Sequence, residues 1–177
     1  ASRLQILLKV LVPEALPGLV AAMGGIEQAR QRLDAFFAYD ALAQDLQGGA
    51  RKQWVVGPYS YYNQFRYNPN NEPDLHSPWL YTLIGQPWKT ADKVREILTT
   101  LYHDRPDGLS GNEDVGQMSA WYVLSSLGFY QVEPAGGRYF FGSPLFDKAE
   151  VRVRDGVLTV TAHNNSAANK YIQAVKL

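Results

Sequence analysis

Residues 151–162 read VRVRDGVLTVTA and predict a β-hairpin. Apolar and charged residues alternate from Val151 to Arg154, which is the period of a half-buried strand. Asp155-Gly156 is a strong turn signal, and Val157 to Ala162 supplies the returning strand. Two further segments have strand-like composition: Tyr139–Phe141 and Tyr171–Val175. We therefore expect antiparallel β-structure in this part of the chain.

The residues before this hairpin have helical periodicity. Apolar positions recur at helical spacing over residues 26–39, after the Gly24-Gly25 break, and a shorter helix is predicted over residues 17–23. A third stripe runs from Trp79 to Ile84 and stops at Gly85. Thr90 is expected to cap the next helix, whose apolar positions include Val94, Ile97, Leu98 and Leu101.

The last predicted helix begins near Glu113 and ends at Gly128, a plausible helix stop. Helices are thus followed by antiparallel strands, which predicts an α+β fold and not the alternation that builds parallel α/β sheets. We place a helical part at residues 1–128 and a β-strand part at residues 129–177.

Composition excludes several classes of function. The chain has 177 residues, of which 46% are hydrophobic, so it can bury a core. Its 17 basic and 17 acidic residues cancel, which leaves no net field to attract nucleic acid or anionic lipid. It has no cysteine, so a metal would need oxygen or histidine ligands.

The segment GLSGNEDVGQ at residues 108–117 places acids and amides where a glycine-rich loop enters a helix. Exposed N–H groups and the positive end of the helix dipole favour ionised carboxylates there. Such acids suit a general base or a cation ligand. The alternative is structural: Asn112 is an N-cap, and Glu113 and Asp114 complement the dipole.

A second polar segment, NPNNEPDLH at residues 68–76, offers side-chain oxygens and one imidazole. Calcium prefers six to eight oxygen ligands, so this loop could supply part of a calcium site. The alternative is an ordinary Asn-Pro turn. His76 is either a half-buried hydrogen-bonded histidine or a ligand, and Trp88 either stacks on a sugar or closes a helical hairpin.

Several ordered motifs together resemble glycoside hydrolase family 92: NEP at 71–73, GQPWKT at 85–90, GNEDVGQMSAWY at 111–122, LGFY at 127–130 and GSPLFDK at 142–148. The resemblance covers roughly residues 12–177. It implies helical hairpins of a partial (α/α)6 barrel, followed by part of an antiparallel β-sandwich.

The resemblance also implies calcium-dependent release of terminal α-linked mannose, with inversion of configuration and an α-1,2 preference. Asp114 would be the base that activates water, helped by its neighbours Asn112 and Glu113. The metal ligands would come from Glu72 and Asn71. The substrate-binding residues would be Trp88, Gln117 and His76. An extracytoplasmic location, periplasmic or secreted, is implied in the same way.

Two departures from the family pattern affect these expectations. Many relatives have an acid where this chain has Asn112, which bears on linkage preference. In the family, the general acid is a Glu that shortly precedes a Val-Pro, and this Val-Pro matches Val12-Pro13. In this chain the corresponding residues 2–9 contain no Glu, and Glu14 follows the Val-Pro instead of preceding it. We interpret the first residues as foreign sequence and expect the acid in a missing N-terminal lobe. The alternative is a mannose-binding or structural fragment without turnover.

Overall fold

Helices precede antiparallel strands, as the sequence predicts. The computed structural model describes residues 15–38, 67, 72–109, 111, 113–133 and 136–177. Its helices are α1 (Leu16–Ala22), α2 (Ile26–Phe37), α3 (Leu80–Leu83), α4 (Pro87–Thr100) and α5 (Gln117–Leu127). Two 3₁₀ turns, Glu72–Asp74 and Ser77–Trp79, lead into α3. These elements confirm the α+β class.

Helix α4 begins three residues before the predicted cap. Pro87 occupies its first turn, where the fixed φ of proline fits and its missing N–H costs nothing. Thr90 lies inside the helix, so its predicted capping role is wrong. Its fully buried hydroxyl donates to the Pro78 carbonyl oxygen at 3.0 Å and accepts from the Thr82 N–H at 3.0 Å. Thr90 thereby fastens α4 to the turns around α3.

Helix α5 begins at Gln117, not near Glu113 as predicted. Gly116 precedes it with φ 83°, and the two residues before Gly116 also have positive φ, which no right-handed helix tolerates. The predicted stop is confirmed: Gly128, with φ 88°, is the C-cap. Its N–H bonds to the Ser125 carbonyl oxygen at 3.0 Å. The chain then passes directly into the first strand.

The core lies among α2, α3, α4 and α5. Trp79 and Trp121 are completely buried within it, and so is Val94 of α4. The ring of Tyr130 stacks on Trp79 with centroids 5.6 Å apart. Large aromatic rings supply much of the apolar area that such a core removes from water.

The strands form two separate ladders. Strand β1 (Phe129–Tyr130) pairs with β2 (Phe140–Phe141), and β3 (Lys148–Val153) pairs with β4 (Gly156–Thr161), both antiparallel. The 151–162 hairpin is therefore confirmed, with Val153 opposite Gly156 across the turn. The predicted strand at Tyr171–Val175 is wrong. Among the described residues this segment has no ladder partner, and Tyr171 instead donates its hydroxyl proton to Asp92 of α4 at 2.9 Å.

Helix α4 also connects the helices to the strands. The buried Arg95 guanidinium donates from Nη2 to Ser143 Oγ at 2.8 Å, to Asn165 Oδ1 at 2.8 Å and to the Pro144 carbonyl oxygen. Burial lowers the pKa of Arg95. The division at residue 128 stays a prediction. In the part of the chain that the structure describes, no helix has the length and apolar character needed to cross a membrane.

Candidate active site

Two carboxyl groups from distant segments meet at the start of α5. The pKa of Glu72 is raised, first by burial, then by the nearby charge of Asp114 and by a hydrogen bond between the two side chains. A backbone hydrogen bond partly offsets this rise. Glu72 Oε1 is buried and has no hydrogen-bond partner among the described residues. The predicted metal ligand and the predicted base are therefore neighbours.

Asp114 lies in a left-handed turn. Its φ is 38°, that of Val115 is 60° and that of Gly116 is 83°. Positive φ is uncommon for non-glycine residues and is a clear outlier for a β-branched one such as Val115. The Asp114 and Val115 side chains are exposed. The turn thus presents the Asp114 carboxylate to solvent at the N-terminal end of α5.

Glu113 is bound to the first turn of α5. Its Oε1 accepts a hydrogen bond from the Ser119 N–H at 3.1 Å, and its Oε2 accepts one from the Ser119 hydroxyl at 3.0 Å. Its backbone carbonyl oxygen accepts from the N–H groups of Gln117 at 3.0 Å and Met118 at 3.4 Å. This carboxylate is therefore engaged in capping the helix.

Phenol groups surround this helix end, and sequence reasoning missed their role. Gln117 donates from Nε2 to the Tyr130 hydroxyl at 3.4 Å. The pKa of Tyr102 is raised by burial and then by the charge of Glu113, with smaller effects from Tyr130 and Tyr122. The LGFY motif at 127–130 was the available signal for Tyr130. For Tyr102 no local pattern gave one.

His76 follows Glu72 by one turn and is held neutral. Burial lowers its pKa to about 4. Its Nε2 is buried and lacks a hydrogen-bond partner within the described ranges. An imidazole of this kind offers one nitrogen as donor or acceptor to an incoming hydroxyl group.

Trp88 lies in the first turn of α4 with 50% of its surface exposed. Asn71 and Asn112 lie outside the described residues. Within those residues, no group of three or more His, Asp or Glu side chains could hold a metal. The assembled features are thus an acidic pair, a neutral histidine, an amide and buried phenols.

Carboxylate, amide, imidazole and aromatic side chains are the kinds of group that bind the hydroxyl groups and apolar faces of a sugar. The comparison with protein families agrees. The glycosyl hydrolase family 92 catalytic domain matches residues 4–177. The chain belongs to this family. The match includes residues 4–9, which speaks against foreign sequence over those residues.

Solved structures support the same assignment. A family GH92 α-mannosidase from Bacteroides thetaiotaomicron is 36% identical, with a TM-score of 0.66 over 84% of this chain and 18% of that one. A family GH92 inverting mannosidase from the same species is 35% identical, with a TM-score of 0.66 over 88% of this chain and 21% of that one.

A secreted glycosidase is also similar to part of this chain. An uncharacterized secreted glycosidase from Arthroderma benhamiae is 27% identical over 101 residues, which are 57% of this chain and 13% of that protein. The chain therefore spans about a fifth or less of the relatives that it matches.

Proposed function

We propose that this chain is part of a calcium-dependent exo-α-mannosidase that removes terminal α-linked mannose, with an α-1,2 preference, from glycans with inversion of configuration. The observation that carries the proposal is that Glu72 and Asp114, from distant segments, lie close enough for the charge of Asp114 to add to the effect of burial on the pKa of Glu72. Glu72 is a candidate metal ligand and Asp114 a candidate base. Because the chain belongs to a family of glycosyl hydrolases, we interpret the pair as part of a catalytic site.

In this mechanism Asp114 is the general base. Its side chain is exposed in the turn that leads into α5. As a water oxygen forms a bond to the anomeric carbon, the Asp114 carboxylate takes the proton from that water. The bond to the leaving oxygen breaks on the opposite face of the sugar, and a general acid protonates that oxygen.

Glu72 and Asp114 supply carboxylate oxygens of the kind that calcium takes, and the rest of its six to eight ligands would come from outside the described residues. Glu72 Oε1 is a buried acceptor without a donor among the described residues, and its neighbour Asp114 adds negative charge. A cation would offset the burial and the Asp114 charge that raise the pKa of Glu72. Glu72 would hold the ion, with Asn71 as the second protein ligand. When bound, calcium would supply positive charge that attracts and orients the hydroxyl groups of the mannose.

Three further residues would bind the sugar. His76 is neutral and has a buried nitrogen to offer to a hydroxyl group. Gln117 is the first residue of α5, close in sequence to the base, and its Nε2 donates to the Tyr130 hydroxyl at 3.4 Å. Trp88 exposes half of its surface, which suits stacking on a pyranose face.

The remaining parts of the enzyme would come from outside the described residues. We propose that an N-terminal lobe supplies the general acid, and that the helices complete an (α/α)6 barrel while the strands join a β-sandwich. An extracytoplasmic location is supported by the secreted relative. The partner would be a mannose-containing glycan.

The absence of Glu from residues 2–9 favours one alternative. Without the acid, the chain would be a mannose-binding or structural piece that does not hydrolyse its ligand. Binding without turnover distinguishes this alternative from the enzyme.

The test is release of mannose from α-1,2-mannobiose by the full-length protein that contains this chain. We expect activity that EDTA removes and calcium restores, with β-mannose as the first product in proton NMR spectra. Asp114→Asn should lower kcat by about 100-fold or more. Asp107→Asn, a change at an exposed aspartate that pairs with Arg105, is the matched control.

Retained activity in Asp114→Asn would contradict the assignment of the base. Full activity in EDTA would contradict the calcium requirement. Saturable mannose binding without any product would support the binding alternative instead.

A further inference from the structure

Glu113 is adjacent in sequence to the proposed base, yet its carboxylate points back to its own helix. Both carboxylate oxygens accept hydrogen bonds from Ser119, one from the N–H at 3.1 Å and one from the hydroxyl at 3.0 Å. A carboxylate held in this way is committed to a cap. It has a different task from Asp114, whose side chain is exposed.

The same residue also holds the other end of the turn. The Glu113 carbonyl oxygen accepts from the N–H groups of Gln117 and Met118 at 3.0 and 3.4 Å. Glu113 is therefore attached to α5 through its backbone and through its side chain. Asp114 and Val115 form a bulge between Glu113 and Gln117, the first residue of α5.

This bulge is strained. Asp114 and Val115 have φ of 38° and 60°, and Val115 is fully exposed, so its own packing does not explain its conformation. Strained backbone persists where the surrounding contacts hold it, and it concentrates at functional sites. The contacts available here are those of Glu113 and the Gln117 N–H, which also lies 3.2 Å from the Asp114 carbonyl oxygen.

We infer that Glu113 is a positioning residue, which fixes the strained Asp114-Val115 turn through Ser119 and so aims the Asp114 carboxylate beside Glu72. This inference rests on the proposed role of Asp114 as base. It assigns to Glu113 no proton transfer and no metal bond. It also makes Ser119, which lies six residues further along the chain, part of the catalytic machinery's support.

The test uses steady-state kinetics of the full-length protein on an aryl α-mannoside. Glu113→Ala should lower kcat by about 10- to 100-fold with little change in KM, because small misplacement of a reacting group has effects of this size. Ser119→Ala should lower kcat in the same direction. The double variant should be no worse than Glu113→Ala alone, since Glu113→Ala already removes the hydroxyl contact that Ser119→Ala breaks.

Glu113→Gln keeps the folded turn and separates positioning from chemistry. Glutamine can accept from the Ser119 N–H through its oxygen and donate to the Ser119 hydroxyl through its nitrogen. We expect it to restore kcat to within about threefold of wild type, because the cap persists. Glu96→Gln, at a surface glutamate paired with Lys93 at 2.9 Å, is the matched control.

The opposite pattern would overturn the inference. Glu113→Gln as inactive as Glu113→Ala, with Ser119→Ala unaffected, would mean that Glu113 itself touches the reacting atoms or the metal. Wild-type kcat in Glu113→Ala would mean that the turn needs no such support. An inactive wild-type protein, or an Asp114→Asn protein as active as wild type, would instead refute the proposed function and this inference with it. Wild-type activity that Asp114→Asn abolishes but Glu113→Ala leaves unchanged would refute this inference alone.

Discussion

Asp114 lies near Glu72 in the folded chain, although two helices separate them in sequence. Burial and this neighbouring charge together raise the pKa of Glu72. The folded protein therefore binds a proton at Glu72 more tightly than the unfolded chain does. The ionised pair costs folding free energy, and that cost appears as the pH rises through the folded-state pKa.

Glu72→Gln should therefore stabilise the calcium-free protein at pH 7. After allowance for solvent screening we expect a gain of up to ~1 kcal/mol in the free energy of unfolding. The same change should remove any stabilisation by calcium, because the candidate ligand is lost. Urea denaturation with and without calcium measures both effects.

Glu150→Gln is the control for this comparison, since Glu150 is an exposed glutamate paired with Lys148 at 2.6 Å. A Glu72→Gln protein that is less stable than wild type without calcium, and still stabilised by it, would show that Glu72 is not the anion that calcium neutralises.

The sequence predicted the regular elements well because their signals are local. The hairpin over residues 151–162 and the stop at Gly128 follow from alternation and from glycine at a left-handed position. The predicted start of α5, near Glu113, was wrong because the residues that set the true start lie further along the helix. Asp114 and Val115 adopt positive φ only through contacts to residues further along the helix, and residue preferences do not report this.

The candidate site was predicted as two separate polar segments, and neither predicted that Glu72 and Asp114 would touch. Their contact depends on how α3 and α4 fold the chain back between them. Tyr102 had no signal because an isolated tyrosine at the end of a helix is more often core. Its relation to Glu113 exists only in three dimensions.

Arg95→Ala should destabilise the protein by roughly 2–4 kcal/mol. The change leaves Ser143 Oγ, Asn165 Oδ1 and the Pro144 carbonyl oxygen without their shared donor, and it opens the contact between α4 and the strands. The free energy of unfolding in urea measures the loss. Arg105→Ala, at an exposed arginine whose Nε lies 3.6 Å from Asp107, should change stability by less than about 0.5 kcal/mol. Equal effects of the two changes would refute the role given to Arg95.

Gly142→Ala should also be destabilising, for steric reasons. A Cβ at Gly142 would lie 2.5 Å from Cη2 of Trp79, which is completely buried and cannot move without disturbing the core. We expect a cost of about 1–3 kcal/mol from overpacking. Gly18→Ala in α1, where a Cβ meets nothing within 4 Å, should instead stabilise by about 0.5–1 kcal/mol. Thermal unfolding of the two variants beside wild type would show shifts of opposite sign, and a stable Gly142→Ala protein would contradict the tight contact.

His76 should make stability fall as the medium becomes acidic. Its pKa is about 4 in the folded protein and near 6.5 when unfolded, because burial disfavours the charged form. Between these values the unfolded chain binds more protons, so stability is fully present above pH 6.5 and declines as the pH falls towards 4. The loss from this one group is on the order of 3 kcal/mol.

His76→Asn, which keeps a polar side chain without a titrating group, should flatten the curve across that interval. Urea denaturation at pH 7, 6, 5 and 4 measures this, with His163→Asn, at an exposed histidine, as the control. Parallel curves for wild type and His76→Asn would mean that the imidazole is protonated as easily in the folded protein as in the unfolded chain, and that it is not held neutral for binding a sugar hydroxyl.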